Sequence, residues 1–247
     1  MAFRNEIVLL MSVPVFFGGL TAFLRIFGKS GIFAWTVICS IAANIEVLIL
    51  VHAFGMDTTL GNVIFASSFL ATDIMSEIYG KKEAGKCVGI GIAANIAFIL
   101  ISQSWFLYIP SDNDIMSGEI RAVFSSTPRV MLSSLLAYAL CELYDVWAYH
   151  FLWSWTERKF GDKGRFLWLR NNGSTMVSQL INVLVFNLLA FAGVFPAGIL
   201  AQIIVFGYGI FLVTSLMDTP FLYLARRIAR GHPELMGPYH PPQEFTV

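Results

Sequence analysis

Charge is what this sequence has least of. Asp, Glu, Lys and Arg make up 13% of its 247 residues, while 57% are hydrophobic. A soluble domain carries roughly twice that charged fraction, so the composition excludes one and marks an integral membrane protein. The formal charge is zero. Without a basic excess to displace counterions from phosphates, no nucleic-acid partner is expected. Cysteine is scarce too: Cys39, Cys87 and Cys141 are odd in number, sit in apolar surroundings and lack ligand spacing. They are read as buried thiols. The histidines, His52, His150, His232 and His240, are scattered, so no metal or cofactor is expected. The sequence contains no HExxH, GxSxG or Walker pattern, and no enzymatic role is expected.

Long apolar runs are what is there. They cover 7–27, 33–54, 62–79, 87–108, 128–155, 172–194 and 196–225, each long enough at about 1.5 Å per residue to cross a core of roughly 30 Å. The reading is an all-α integral membrane protein, a bundle of about seven transmembrane helices. Residues 1–230 form one polytopic domain, and 231–247 form a flexible polar, Pro-rich tail. The first run is long for a cleaved signal peptide and is preceded only by Arg4. Lys and Arg gather after spans one, three and five and in the tail, at Arg25, Lys29, Lys81, Lys82, Lys86, Arg158, Lys159, Lys163, Arg165, Arg170, Arg226, Arg227 and Arg230. Cytoplasmic loops collect such residues, which predicts a multi-pass protein with an outside N-terminus and a cytoplasmic C-terminus.

Acids, by contrast, lie inside the spans: Glu46, Asp73, Glu77, Glu142, Asp145 and Asp218. A carboxyl at membrane depth is expensive, and it is held by protonation or by something that enters and pairs with it. Both are signatures of transport. Helical spacing puts these acids on single faces. Asp73 and Glu77 share one with Asn62, Phe65 and Phe69; Tyr138, Glu142, Asp145 and Tyr149 form another. Asn171, Thr175, Ser178, Gln179 and Asn182 make a third, and Phe211, Ser215, Asp218 and Leu222 a fourth, with Pro220 expected to disturb the helix beyond the acid. Lipid tolerates none of these stripes, so they should converge on one cavity near the midplane. Glu77 is expected to pair with Lys81 or Lys82 at the interface. Arg170 is expected to anchor there, and Asn171, Asn172 and Ser174 to cap span six.

Three segments then carry a specific resemblance: FLATDIMSEIYGKKEA (69–84), AYALCELYDVWAYHF (137–151) and LWLRNNGSTMVSQLINVLVF (167–186), with ANIEVLILV (43–51) before them. In that order the chain resembles the queuosine precursor transporter (VUT) family. The resemblance implies an inner-membrane carrier that imports 7-deazaguanines, the cyano and aminomethyl precursors of queuosine or queuine itself, for tRNA modification. It also implies a six-helix core, with 7–27 as an added first helix. Where the family commonly has Asp in the span after the RNN motif, this chain has Asn182.

Such a ligand offers an N1–H and an exocyclic amine side by side, which one carboxylate can accept in bidentate fashion. Its carbonyl needs a donor, and its flat ring needs aromatic faces. The expected site therefore takes carboxylates from Glu46, Asp73 and Asp145, amides from Asn44, Gln179 and Asn182, and walls from Phe69, Tyr144 and Trp147. Asp73, Glu142 and Asp218 are the candidates for proton coupling. The expected partners are a small nucleobase-like substrate and the lipid bilayer, and a homodimer is compatible with such a bundle. A substrate-capture subunit of an energy-coupling-factor uptake system would show the same acidic interior, and it stays open as the alternative.

Overall fold

The structure, a computed structural model, describes residues 4–125, 128–161 and 164–235. Lys163, His240 and the tail beyond 235 lie outside the described residues. Helix α1 (Arg4–Glu46) is broken at Gly28, where φ is 59° and ψ −140°. Only glycine adopts that backbone cheaply. The chain reverses there. The Phe23 and Trp35 rings come within 5.1 Å, and a Cβ on Gly19 would meet the Trp35 ring at 2.6 Å. Along one straight helix, residues 19 and 35 would stand about 24 Å apart. α1 is thus two antiparallel spans.

The second span is shorter than its apolar run suggests. Helix ends at Glu46, and β1 (Leu50–Ala53) pairs antiparallel with β2 (Met56–Thr59), with Ala53 opposite Met56. Phe54 and Gly55 form the turn, both at positive φ, 54° and 77°, as a two-residue turn matched to strand twist requires. Hydropathy alone does not separate an apolar strand from the end of an apolar helix, so the run read as a span to residue 54 includes half a hairpin. The hairpin is tied to the start of α1: the Asn5 amide donates to the His52 carbonyl at 2.9 Å, and the Phe54 N–H donates to Glu6 at 3.0 Å.

Helix α2 (Gly61–Tyr79) runs through the centre, with every residue buried except Asn62 and Phe65. Its Ala66, Ser67, Ser68, Ala71 and Ser76 are small enough to let neighbouring backbones close in. Gly80 ends it and α3 (Lys81–Ser104) follows. Short α4 (Ser117–Ser125) is started by Asp114, whose side chain accepts the Met116 and Ser117 N–H groups at 2.7 and 2.8 Å. Those bonds hold the Asp114 carboxyl below its usual range. Then come α5 (Pro128–Phe160), α6 (Leu167–Phe191) and α7 (Ala197–Gly231). α7 stays helical through Pro220.

Among the described residues, α1, α3, α5, α6 and α7 are long and apolar enough to cross a membrane. α1 crosses twice, and α2, walled in by the others, completes the expected seven. The bundle has two distinct ends. Gly28, Gly80, the α5–α6 turn and the end of α7 share one with most of the Lys and Arg; this is the basic end. The β-hairpin, α4 and the α6–α7 turn share the other, the hairpin end.

Candidate functional site

The four polar stripes meet, but in two different manners. At the basic end Glu77 is fully paired. The Arg170 guanidinium donates to it at 2.7 Å and the Tyr149 hydroxyl at 2.8 Å, while Arg226 stands 3.4 Å from its other oxygen. Arg170 is 1% exposed and lies over the Trp153 ring at 4.2 Å. This corrects two expectations. The partner of Glu77 is not a lysine of the α2–α3 turn, and Arg170 is no interfacial anchor. α6 begins at Leu167, which carries Arg170 inward on its first turn. The same early start removes Asn171 and Asn172 from capping. Their amides reach α7 instead, Asn171 donating to Asp218 at 2.7 Å and Asn172 to Thr219 at 2.7 Å.

One turn further along α2 toward the hairpin end, the acids lose their cations. Asp73, Glu142, Asp145 and Asp218 are all buried, and the hydrogen bonds they receive come from neutral groups. Thr175 donates to Asp73 at 3.2 Å, and Ser178 to Asp145 at 2.8 Å. Ser68 and Thr72 donate to the two oxygens of Glu142 at 2.7 and 2.9 Å. The Asp73 and Asp145 carboxyls lie within hydrogen-bonding reach of each other. Among the described residues, one oxygen of each, Asp73 Oδ1 and Asp145 Oδ2, has no hydrogen-bond donor, nor has Asn171 Oδ1. Unsatisfied buried acceptors are costly, about 1–3 kcal/mol each and more for charged groups.

Toward the hairpin end a cavity of about 640 Å³ opens between α1, the hairpin, α2, α5, α6 and α7. Its polar groups are Asn62, Ser134, Asn182, Asn187, Gln202 and His52; Phe65, Phe186, Phe206 and Phe211 give it aromatic walls. The size is that of small-ligand sites. Phe65 forms its floor, with ring centroids 5.5 Å from Phe69, 6.0 Å from Tyr138 and 6.1 Å from Phe211. Asp73 lies two turns beyond Phe65, about 12 Å along α2. The carboxyl cluster therefore sits beneath an aromatic floor, between the cavity and the ion network.

Of the expected site residues, Asp73, Asp145, Phe69, Gln179 and Asn182 come together around this floor, and Asn182 lines the cavity itself. Asn44 is buried one layer aside, bonded to Asn95 and the Ser40 carbonyl. Glu46 is half-buried where α1 ends at the hairpin. Trp147 does not join them. It is 51% exposed on the outer face of α5, stacked on Phe151 at 5.4 Å with Tyr144 beside it. The reason is phase: position 147 is two residues past Asp145, on the far side of the helix. Asp218 and Glu142 belong to the cluster. Phe186, Asn187, Ser134 and Gln202 were not anticipated. Phe186 continues the α6 stripe one turn beyond Asn182, a signal that was present; Gln202 and Ser134 carry no comparable pattern.

A family model described as "Putative vitamin uptake transporter" matches residues 59–225. A probable queuosine precursor transporter of Bacillus subtilis (strain 168) is 36% identical over 206 residues, covering 83% of this chain and 88% of the relative. No solved structure matches.

Proposed function

This chain belongs to the vitamin uptake transporter family, and from that premise we propose that it imports 7-deazaguanine bases, the precursors of queuosine. The hairpin end faces outward and the basic end faces the cytoplasm, the orientation that the distribution of Lys and Arg favours. The observation that carries the substrate reading is the unpaired acceptor set beneath the cavity. Asp73 Oδ1, Asp145 Oδ2 and Asn171 Oδ1 are fully buried and lack donors among the described residues. A 7-deazaguanine supplies a donor pair, N1–H and the adjacent amine, on one edge of a flat ring. The ligand enters among Asn182, Asn187 and the phenylalanines, passes the Phe65–Phe211 floor and delivers its donor edge to Asp73 and Asp145. Phe69 lies against its face, and Gln179 and Asn182 supply amide donors to its carbonyl. Glu46, Asn44, Tyr144 and Trp147 are left out of contact.

Alternating access assigns the ion network a part. A site open toward one membrane face is closed toward the other, and Glu77 with Arg170, Tyr149 and Arg226 joins α2, α5, α6 and α7 at that closure. The test is uptake of labelled 7-deazaguanines by the purified chain in liposomes. Asp73→Asn loses a charge-assisted acceptor, worth about 1.5–3 kcal/mol, so uptake is expected to fall at least about tenfold while membrane insertion is retained. Wild-type uptake in Asp73→Asn removes Asp73 from the site. Saturable binding without uptake identifies a capture subunit that needs a separate motor.

A further inference from the structure

Glu142 has no place in the ligand contacts, yet it is the most evenly solvated of the buried acids. Both its oxygens accept a hydroxyl, from Ser68 and Thr72, and among the described residues no cation pairs with it. Those hydroxyls have a second acceptor each. Ser68 Oγ is 2.8 Å from the Phe65 carbonyl, and Thr72 Oγ1 is 2.9 Å from the Phe69 carbonyl. A hydroxyl holds one proton. When Glu142 is ionised, both hydroxyls turn toward it. When it is neutral, its own O–H donates to one of them, and that hydroxyl turns back to its helix carbonyl. The same side chains thus solvate both protonation states without any backbone movement.

A route to the bath lies next to it. A void of about 10 Å³, the room one water needs, is lined by Ser40, Ser68, Ser134 and Tyr138. It shares Ser134 and Phe65 with the large cavity. The Ser40 and Tyr138 hydroxyls are buried and have no partner among the described residues. A Cβ on Gly91 would lie 2.0 Å from the Tyr138 hydroxyl, so the glycine keeps the space that this hydroxyl occupies. Polar groups therefore run from the cavity past the aromatic floor to Ser68, and from Ser68 to Glu142.

We propose that this carrier is coupled to protons, and that Glu142 is the proton-binding residue, reached from the cavity through the water-sized void beside Tyr138. The inference rests on the carrier reading above. In the binding step a bath proton passes through the cavity to the water in the void, that water gives a proton to the Ser68 hydroxyl, and Ser68 passes its own to a Glu142 oxygen. The bath loses one proton, the carboxylate gains one, and only O–H bonds form or break. The titratable groups facing Glu142 are Cys39 of α1, Asp73 of α2, Cys87 of α3, and Tyr138, Cys141 and Asp145 of α5. Asp218 of α7 faces Asp73 and Asp145 in turn. None is a cation. A proton on Glu142 therefore removes a like charge beside Asp73 and Asp145 and eases their ionisation, the state in which both carboxyls accept the ligand's donors, so ligand and proton favour each other's binding.

The experiment uses the full chain in liposomes with labelled, uncharged cyano-substituted 7-deazaguanine, which a pH gradient does not trap by itself. Wild type is expected to accumulate it about tenfold per unit of imposed pH gradient at one proton per ligand. Glu142→Gln is expected to keep exchange between external label and unlabelled ligand inside, and to lose gradient-driven accumulation. Tyr138→Phe should slow accumulation and leave exchange intact. Accumulation by Glu142→Gln equal to wild type, or wild type indifferent to the gradient, overturns the proposal. If wild type does not exchange the ligand at all, the substrate reading has failed instead. Infrared titration of the detergent-purified chain then decides independently. A pH-dependent carboxylic-acid band must disappear in Glu142→Gln, and its persistence there sinks the assignment.

Discussion

Glu77 and Asp73 stand one turn apart on α2, equally buried, and the two halves of the molecule meet between them. On the basic side, the acid has two arginines and a tyrosine hydroxyl. On the hairpin side, the acid has one threonine hydroxyl, a second acid in reach and an oxygen with no donor among the described residues. Depth is nearly the same, and so is the residue type. What differs is whether the protein supplies the counter-charge. Where it does, the acid holds helices together. Where it does not, the missing donors define what must come in from outside.

Breaking the paired side has the largest expected effect. Arg170→Ala strips Glu77 of its closest cation and leaves the buried carboxylate with the more distant Arg226 and the Tyr149 hydroxyl, while the Trp153 face loses its guanidinium. Removing one member of a buried ion pair costs about 3–5 kcal/mol. Thermal unfolding in detergent should show a large loss, and Arg170→Ala combined with Glu77→Gln should recover part of it. A single variant that unfolds like wild type would erase the distinction between the two ends. On the unpaired side, Asp73→Asn removes a buried carboxyl for which the described residues supply no cation, so its unfolding temperature should hold or rise even as uptake falls.

The next effect concerns how the basic end is joined. Gly28→Ala places a side chain at φ 59° and ψ −140°, a conformation that costs about 1–3 kcal/mol in a residue with a Cβ. The strain falls on the reversal between the two spans of α1, far from the cavity. Stability should drop by that amount, and exchange of ligand in the surviving protein should be unchanged. Altered ligand affinity would tie the reversal to the site and blur the comparison.

The division between the ends was only partly legible in the sequence. Spacing at 3.6 residues carries Asp73, Glu142, Asp145, Asn171, Gln179 and Asp218 to buried faces, because a stripe that lipid rejects has only the bundle interior to go to. It says nothing about which stripe meets which. Glu77 looks as if it belongs to Lys81 and Lys82 because they are near in sequence, yet its partner is 93 residues away on α6. Trp147 looks like a wall for a flat ligand because aromatic residues suit both ligands and lipid; only its phase on α5 puts it outside. The hairpin hides inside an apolar run, and the cavity is a space between helices that no single segment encodes.

The smallest expected effect sharpens the comparison at its boundary. Phe211 meets Phe65 edge-on at 6.1 Å in the cavity floor, the layer that separates the open side from the uncompensated acids. Such an aromatic pair contributes about 0.5–1.5 kcal/mol beyond its buried area. Phe211→Leu keeps apolar bulk on α7 and loses the ring. Stability should fall by about that amount, well short of the loss expected for Arg170→Ala because the ion network at the other end is untouched, and ligand affinity should weaken. The informative result is the rate. With the floor thinned, ligand should exchange faster in vesicles even as it binds less tightly. A Phe211→Leu chain that binds more weakly without exchanging faster would make the ring a wall of the site and not a barrier in front of it.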